Sequence, residues 1–295
     1  MSDSTAPTDD VWTVQRILQW TADFLQQKEV ESPRLEAELL LAHARNCQRI
    51  RLYTDFETPL ADDERARMRD FVKRRAGREP LAYITGRKEF YGRDFAVGSG
   101  VLVPRPETET LIDVCLEHIP KHQVVKVCEV GFGSGCIAVT LAKQCSGVSV
   151  SATDVSRHAM NFATENVGSH DVGQQVTLSA GDGFSPLPDE MAGQFDGIVS
   201  NPPYIREDEM ATLSPEVAVH EPLEALVSGA DGLVLVRRLI VEALHWLNDD
   251  GWMVLEVDPA QCETVAGLFK TAGFLKTTIH RDLSGNDRVV SAKRS

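Results

Sequence analysis

The sequence predicts an α/β protein, an open and mostly parallel sheet preceded by a small bundle of helices. Three observations carry this. From residue 124 onward, short apolar runs alternate with amphipathic stretches at helical spacing, the pattern of strands joined by crossover helices. Gly131, Gly133 and Gly135 fall where the first of those runs gives way to its helix. Before residue 79, by contrast, apolar residues recur at helical spacing.

Composition sets the outer bounds. With 295 residues and 42% hydrophobic content, the chain can bury a full core, enough for one large domain and one smaller one. It contains no uninterrupted apolar run of about 18 residues, so no membrane span is expected. Met1 to Asp10 has neither a basic region nor an apolar core, and is expected to be a short disordered tail rather than a secretory signal. The six cysteines (Cys47, Cys115, Cys128, Cys136, Cys145, Cys262) form no C-x-x-C pair and have no histidine at metal spacing. They are expected to be reduced, buried thiols of a cytoplasmic protein without a metal site. Thirty Lys and Arg against 44 Asp and Glu give a net charge of −14, a poor match to a polyanion. Direct binding to nucleic acid is therefore not expected, and a basic protein or a small molecule is the better partner.

In the first part of the chain, Val11, Val14, Ile17, Leu18, Phe24 and Leu25 fall at helical spacing. Ser32-Pro33 then supplies a cap and a first-turn proline for Leu35 to Ala44. A third helical pattern runs from about Asp62 to Arg75, with Met68, Phe71 and Val72 on one side. Residues 11–78 thus form a helical domain that docks a partner, shapes a cleft or serves as a structural cap, with His43 a surface or satisfied histidine. Residues 79–109 change character. Arg78 to Gly86 lead into Lys88-Glu89-Phe90-Tyr91-Gly92 and Phe95-Ala96-Val97, short aromatic strands broken by glycine as in a hairpin. Val103-Pro104-Arg105-Pro106-Glu107-Thr108-Glu109 is an extended loop that opens a helix with Leu111, Ile112, Cys115 and Leu116 on its apolar face. Structurally, Glu107 and Glu109 need be no more than first-turn acids favoured by the helix dipole.

The regular alternation follows in residues 110–295. Val124 to Val130 is the first strand, running through Glu129 into Gly131-Phe132-Gly133-Ser134-Gly135 before the helix Cys136 to Lys143. Alternate glycines let the backbone turn sharply and approach a ligand, and the helix amino terminus behind them presents free N–H groups. The second strand, Val148 to Asp154, ends in an acid placed 25 residues after Glu129, close to the offset at which an acid takes ribose hydroxyls. The third, Val176 to Ala180, ends in Gly181-Asp182, and the fourth, Phe195 to Ser200, ends in Asn201-Pro202-Pro203-Tyr204. Each delivers a polar group to the carboxyl edge, where open parallel sheets bind ligands. A helix from about Leu233 to Leu247, a fifth strand over Gly251 to Val257, a helix over Cys262 to Ala272 and a final strand pair, Leu275 to Ile279 and Arg288 to Ala292, complete the pattern. Val219 to Leu223 and Gly229 to Gly232 are expected to form a loop over the cleft, with His220 tempting as a base but better read as a loop-structuring residue.

Two consecutive prolines remove two backbone donors and forbid continuation of a ladder, so the fourth strand must stop at Asn201. What stops it is a stiff corner holding one carboxamide, unpaired carbonyls and one aromatic ring. A dinucleotide site would want G-x-G-x-x-G, but here the third glycine comes one residue early. The string E-x-G-x-G-x-G with acids after the next two strands resembles instead the S-adenosylmethionine site of methyltransferases. That resemblance implies that Glu129 binds the cofactor, that Gly131, Phe132, Gly133, Ser134 and Gly135 pass under its methionine part, that Asp154 holds the ribose, and that Asp182 and Gly183 lie at the adenine. It also implies that Asn201-Pro202-Pro203-Tyr204 handles a planar amino nitrogen, in a base or a side-chain amide. Such a nitrogen is a poor nucleophile because its lone pair is delocalised. Accepting both its hydrogens, with the Asn201 side-chain oxygen and the Pro202 carbonyl, would aim the lone pair at the methyl, and Tyr204 would stack on the flat group.

Beyond the cofactor core, Glu79-Pro80-Leu81-Ala82-Tyr83-Ile84-Thr85-Gly86, Glu89-Phe90-Tyr91-Gly92, Val103 to Glu109, Ser200 to Tyr204 and His220-Glu221-Pro222 together resemble the HemK/PrmC family of release-factor glutamine N5-methyltransferases. The resemblance spans nearly the whole chain. It implies a Rossmann-like, seven-stranded class I methyltransferase sheet with an antiparallel last strand, S-adenosylmethionine turned over to S-adenosylhomocysteine, and the glutamine of the Gly-Gly-Gln loop of peptide chain release factors as substrate. It also places Arg105 and Glu107 beside the cofactor's methionine end. Phe132 departs from the small residue usual between the first two glycines, and Gly183 from a frequent aromatic. The relative that methylates a ribosomal protein typically has Pro-Arg-Ser where this chain has Pro104-Arg105-Pro106, so Pro106 favours the release-factor branch. An adenine-N6 nucleic-acid methyltransferase shares the Asn201 to Tyr204 chemistry but would need a basic cleft; a non-catalytic cofactor-binding protein has only Gly183 in its favour.

Overall fold

The computed structural model describes residues 11–120 and 123–294, so the expected tail at Met1 to Asp10 lies outside the described residues. The chain divides into two compact units, Met1–Thr85 and Gly86–Ser295.

The first unit contains the three expected helices, α1 (Val14–Gln27), α2 (Pro33–Ala44) and α4 (Asp62–Ala76), and two short ones that periodicity did not reveal, α3 (Arg49–Thr54) and α5 (Leu81–Thr85). The Thr13 hydroxyl caps α1 by accepting the Arg16 N–H, and Pro33 opens α2. Leu18, Leu25, Leu40, Leu41 and Met68 fill the core between the long helices. α3 buries only Leu52, too little for an apolar stripe. α5 follows Pro80 and buries Ala82, Tyr83 and Ile84, so this stretch is a helical turn rather than part of the run-in to the hairpin.

In the second unit, β1 (Arg87–Phe90) and β2 (Arg93–Ala96) form that hairpin. Its two-residue turn, Tyr91-Gly92, has positive φ at both positions, which suits the twist of the flanking strands. α6 (Thr108–His118) precedes a seven-stranded sheet made of β3 (Val125–Val130), β4 (Val148–Asp154), β5 (Val176–Ala180), β6 (Phe195–Ser200), β7 (Leu247–Glu256), β8 (Leu275–Arg281) and β9 (Asp287–Lys293). The order is β5-β4-β3-β6-β7-β9-β8; β9 runs antiparallel to both its neighbours and the other pairings are parallel. Strand order reverses between β3 and β6, which makes their carboxyl ends the expected ligand crevice. Alternate residues of β3 serve two cores: Val127 packs with α6, α7 (Cys136–Gln144) and α8 (Arg157–Ser169), whereas Cys128 and Val130 pack with α10 (Val234–Trp246) and α11 (Cys262–Ala272).

Two expectations shift. β7 begins at Leu247, four residues before the predicted start, because Leu247 already pairs with Phe195 across a register shift that polar Asn248-Asp249-Asp250 conceals. The segment over the cleft is not loop throughout: a helix, α9 (Pro215–His220), begins at a proline that serves as its first residue.

Candidate active site

The glycine turn leaves β3 with φ of 79° at Gly131, 53° at Gly133 and 78° at Gly135, a conformation that side chains disfavour. The three glycines differ in what surrounds them. A Cβ at Gly131 or Gly133 would meet nothing within 4 Å, whereas one at Gly135 would lie 3.3 Å from the Ala163 Cβ. Gly135 therefore lets α7 and α8 pack closely, and Gly131 and Gly133 keep an open space above the turn. That space is a cavity whose walls include Gly131, Phe132, Gly133 and Ser134, with Asp154, Asp182 and Gly183 further along.

The acids at the strand ends are held differently. Asp154 accepts the N–H of Gly133 and that of Ser156, each at 2.8 Å, so it pins the glycine turn to the end of β4. Burial raises its carboxyl above the ordinary range, and these backbone N–H groups oppose the shift. Asp182 is exposed and gripped by both guanidinium arms of Arg238 on α10, at 2.7 and 2.5 Å, which holds its carboxyl below the usual range. Gly183 (φ 57°) lies beside the same guanidinium, 3.0 Å from where its Cβ would stand. Glu129 ends in the interior: it is 0% exposed, burial pushes its carboxyl well up, and neither oxygen has a hydrogen-bond partner among the described residues. A buried carboxylate lacking a partner, two residues before an open glycine turn, suits a ligand carrying an ammonium group.

The proline corner joins this cavity to a second one. Asn201 lines both; Pro203 lines the first, and Tyr204 lines the second together with Glu256, Asp258 and Arg288. The corner is locked in place. The Ser200 hydroxyl donates to the Val130 carbonyl at 2.6 Å, and Gln261 Nε2 donates to the Tyr204 carbonyl at 2.9 Å. Gly232 (φ 74°) comes so close that a Cβ there would stand 2.1 Å from that same carbonyl oxygen. No donor among the described residues bonds the carbonyl of the buried Pro202. Burial, with Glu256 nearby, raises the Tyr204 phenol to about 12. Asn201 Nδ2 donates to the Thr108 hydroxyl at 3.2 Å, which ties the corner to the first residue of α6.

Arg105 lines both cavities and is paired at 2.7 Å with Glu221, whose side chain is 1% exposed. Glu107 lines the second cavity and not the first. Gly135 and Glu129 line neither, and His220, at the end of α9, also faces neither. Sequence reading missed Thr108, Arg238, Glu221, Glu256 and Arg288. Glu256 had a signal, since it ends the fifth parallel strand as the other acids end theirs; the rest are placed by tertiary contacts across long separations. Among the described residues, no cluster of His, Cys, Asp or Glu could hold a metal ion, and no helix is long and apolar enough to cross a membrane.

Two family models match the chain, the PrmC N-terminal domain over residues 16–86 and the methyltransferase small domain over residues 109–250. A release factor glutamine methyltransferase of Geobacter sulfurreducens is 43% identical over 284 residues, 96% of this chain and 98% of that relative. One of Rhodopirellula baltica is 40% identical over 297 residues, 97% of this chain and 98% of that relative. A methyltransferase crystal structure from Pyrococcus furiosus shares the fold, with a TM-score of 0.51 at 18% identity over 70% of this chain and 92% of that one.

Proposed function

The chain belongs to the release factor glutamine methyltransferase family, and from that premise we propose that it methylates N5 of the glutamine in the Gly-Gly-Gln loop of peptide chain release factors, using S-adenosylmethionine. The observation that carries this reading is the place of Asn201 in the wall shared by the two cavities, with the glycine turn on one side and Tyr204 on the other.

The residues of the first cavity fit the methyl donor. The open space over Gly131 and Gly133 admits a ligand close to the backbone, and the Glu129 carboxylate, buried behind the turn rather than in the cavity wall, suits the amino acid's ammonium. Asp154 holds the ribose, Asp182 and Gly183 border the adenine, and Phe132, Ser134 and Arg105 complete the walls. When bound, S-adenosylmethionine would supply an electrophilic methyl carbon on a sulfonium, with the thioether S-adenosylhomocysteine as leaving group taking the C–S electron pair and one proton lost from the methylated nitrogen. The protein's own contribution is orientation. The Asn201 Oδ1 and the Pro202 carbonyl accept the two amide hydrogens, which removes the freedom of the substrate nitrogen to turn its hydrogens toward the donor. Tyr204, half-buried and neutral across the working pH range, stacks on the amide plane. Glu107 borders the substrate side.

The acidic balance of the chain agrees with a protein substrate rather than DNA or RNA, and the work is done in the cytoplasm without a membrane. Incubation with labelled S-adenosylmethionine and a release factor should transfer about one labelled methyl group per glutamine, in line with one acceptor nitrogen. Replacing the loop glutamine should abolish the signal. Label entering a ribosomal protein or duplex DNA instead would overturn the substrate assignment.

A further inference from the structure

Behind Asn201 lie two buried polar side chains that the reaction as described does not use. Thr108, 2% exposed, opens α6, and Glu256, 1% exposed, ends β7. They connect: the Asn201 Nδ2 reaches the Thr108 hydroxyl at 3.2 Å, and Thr108 lies beside the Glu256 carboxyl, whose charged form it favours. Glu256 Oε2 has no partner among the described residues, and the residue lines the second cavity.

We propose that Thr108 and Glu256 are positioning residues that fix which end of the Asn201 carboxamide faces the substrate. This deepens the glutamine-methylation reading and rests on it.

The direction follows from counting hydrogens. A carboxylate only accepts, and a threonine hydroxyl has a single hydrogen to give. With Glu256 ionised, Thr108 spends that hydrogen on Glu256 and can only accept from Asn201. The Asn201 NH₂ group must then point at Thr108, which turns Oδ1 toward the cavity as an acceptor for the substrate's N–H. Once Glu256 is protonated it can donate to Thr108, the hydroxyl can donate to Asn201 Oδ1, and the carboxamide can flip. Its NH₂ group would then face another NH₂ group, a donor against a donor. The flip removes the acceptor on which orientation of the substrate depends.

The surroundings place the protonation event within a useful range. Burial raises the Glu256 carboxyl to about 7, with Thr108 opposing the shift. Arg288 from β9 and Arg105 from the loop before α6 favour the charge, and Glu107 from the same loop disfavours it. Tyr204 and Asp258 share this cavity wall, and the buried Cys136 thiol of α7 also feels the Glu256 charge. The orienting form is the ionised one, so turnover should rise with pH through about 7.

The test uses the full chain with saturating S-adenosylmethionine and a release factor. Thr108→Val keeps the shape and removes the hydroxyl. It should lower kcat about 10–100-fold, as loss of an outer-shell partner does, with KM for S-adenosylmethionine unchanged within about twofold of wild type, and Thr108→Ser should restore kcat. Glu256→Gln, whose carboxamide does not ionise, should abolish the acidic limb with its midpoint near 7. Wild-type kcat in Thr108→Val, or the same acidic limb in Glu256→Gln, would overturn the relay. So would a parallel loss of kcat and cofactor affinity that Thr108→Ser does not restore, since that describes a structural role. A readout independent of substrate separates the relay from the functional reading. In the free wild-type protein, the Asn201 side-chain amide NMR signal, assigned by its loss in Asn201→Asp, should shift with pH at the same midpoint, and should stay flat in Glu256→Gln. A flat wild-type signal overturns the relay whatever the substrate. A titrating signal in a protein that leaves release factors unmethylated supports the relay and overturns only the substrate assignment.

Discussion

Replacing the three turn glycines one at a time by alanine should separate two roles that their shared spacing hides. All three have positive φ, so each alanine incurs backbone strain of about 1–2 kcal/mol. For a unit spanning Gly86–Ser295, that corresponds to a fall in Tm of about 2–8 °C. At Gly131 and Gly133 the strain is the whole structural cost, because the new methyl meets nothing within 4 Å. The methyl instead enters the cavity over the turn and occupies space that the donor's methionine end needs, which should weaken S-adenosylhomocysteine binding by about 10-fold or more, the effect of one misplaced methyl in a fitted pocket. At Gly135 the methyl faces the Ala163 Cβ at 3.3 Å and its Cα at 3.4 Å. Separating α7 from α8 adds an overpacking cost of about 1 kcal/mol or more, so Gly135→Ala should have the lowest Tm of the three and a smaller loss of affinity. Calorimetric titration with S-adenosylhomocysteine and thermal melts without ligand provide the two readouts. If Gly131→Ala and Gly133→Ala bind as wild type does while Gly135→Ala loses affinity most, the glycine turn is not the cofactor cradle.

Asn201→Ala should lower kcat by about 10²-fold, the scale seen when one preorganised hydrogen-bonding group is lost, and should change S-adenosylhomocysteine affinity much less; equal losses measured by kinetics and titration would argue against a substrate-orienting role. Arg105→Ala leaves the Glu221 carboxylate buried without its partner, and because Arg105 is itself partly exposed the loss should be about 2 kcal/mol, below the range for fully buried pairs. Burial already raises the Glu221 carboxyl, with Arg105 opposing, and removing Arg105 raises it further. A raised folded-state value means stability that is present at low pH and lost as pH rises through that value, so thermal melts of Arg105→Ala should come closest to wild type near the unfolded carboxyl range and fall away toward alkaline pH. Arg238→Ala breaks an exposed pair and should shift Tm by no more than the equivalent of about 1 kcal/mol. Because Arg238 depresses the Asp182 carboxyl, that small difference is present above the ordinary aspartate value and should close as pH falls through the depressed one, while the Asp182 carboxyl signal in a ¹³C NMR titration moves upward.

What could be read along the chain was whatever depends on neighbours in sequence. The succession of strands and helices follows from the alternation of runs, the strand stop at Asn201 from two missing donors, and the glycine turn from the spacing of Gly131, Gly133 and Gly135. α3 and α9 have six residues each, fewer than two turns, and show no stripe to detect. The partners of site residues were hidden for a different reason. Arg238 reaches Asp182 across 56 positions, and Glu221 reaches Arg105 across 116; nothing local marks either arginine for its carboxylate. In Glu107-Thr108-Glu109 the charges drew attention, but Glu107 borders the second cavity and Glu109 accepts the Tyr91 N–H at the hairpin, whereas the uncharged Thr108 is what touches Asn201. Charge is conspicuous in a sequence; a buried hydroxyl becomes informative only once its neighbours are known.

Three glutamates around the two cavities share a property that connects folding to catalysis. Glu129, Glu221 and Glu256 are nearly or fully buried, burial raises the carboxyl of each, and each has at least one oxygen without a partner among the described residues. Such groups cost stability, since an unpaired buried polar atom forfeits about 1–3 kcal/mol. A chain selected for stability alone would replace them with apolar residues of similar volume. Their surroundings differ in a way that suggests what each awaits. Glu221 already has Arg105 and holds the loop over the cleft, Glu129 has no cation beside the glycine turn, and Glu256 has Thr108 and two arginines nearby. Apolar replacement should therefore have three distinct results. Glu221→Leu should loosen the loop, Glu129→Leu should raise stability while weakening cofactor binding, and Glu256→Leu should raise stability while leaving cofactor binding intact and lowering turnover. The gain in stability at Glu129 and Glu256 is the sign that those acids are kept for their ligands rather than for the fold.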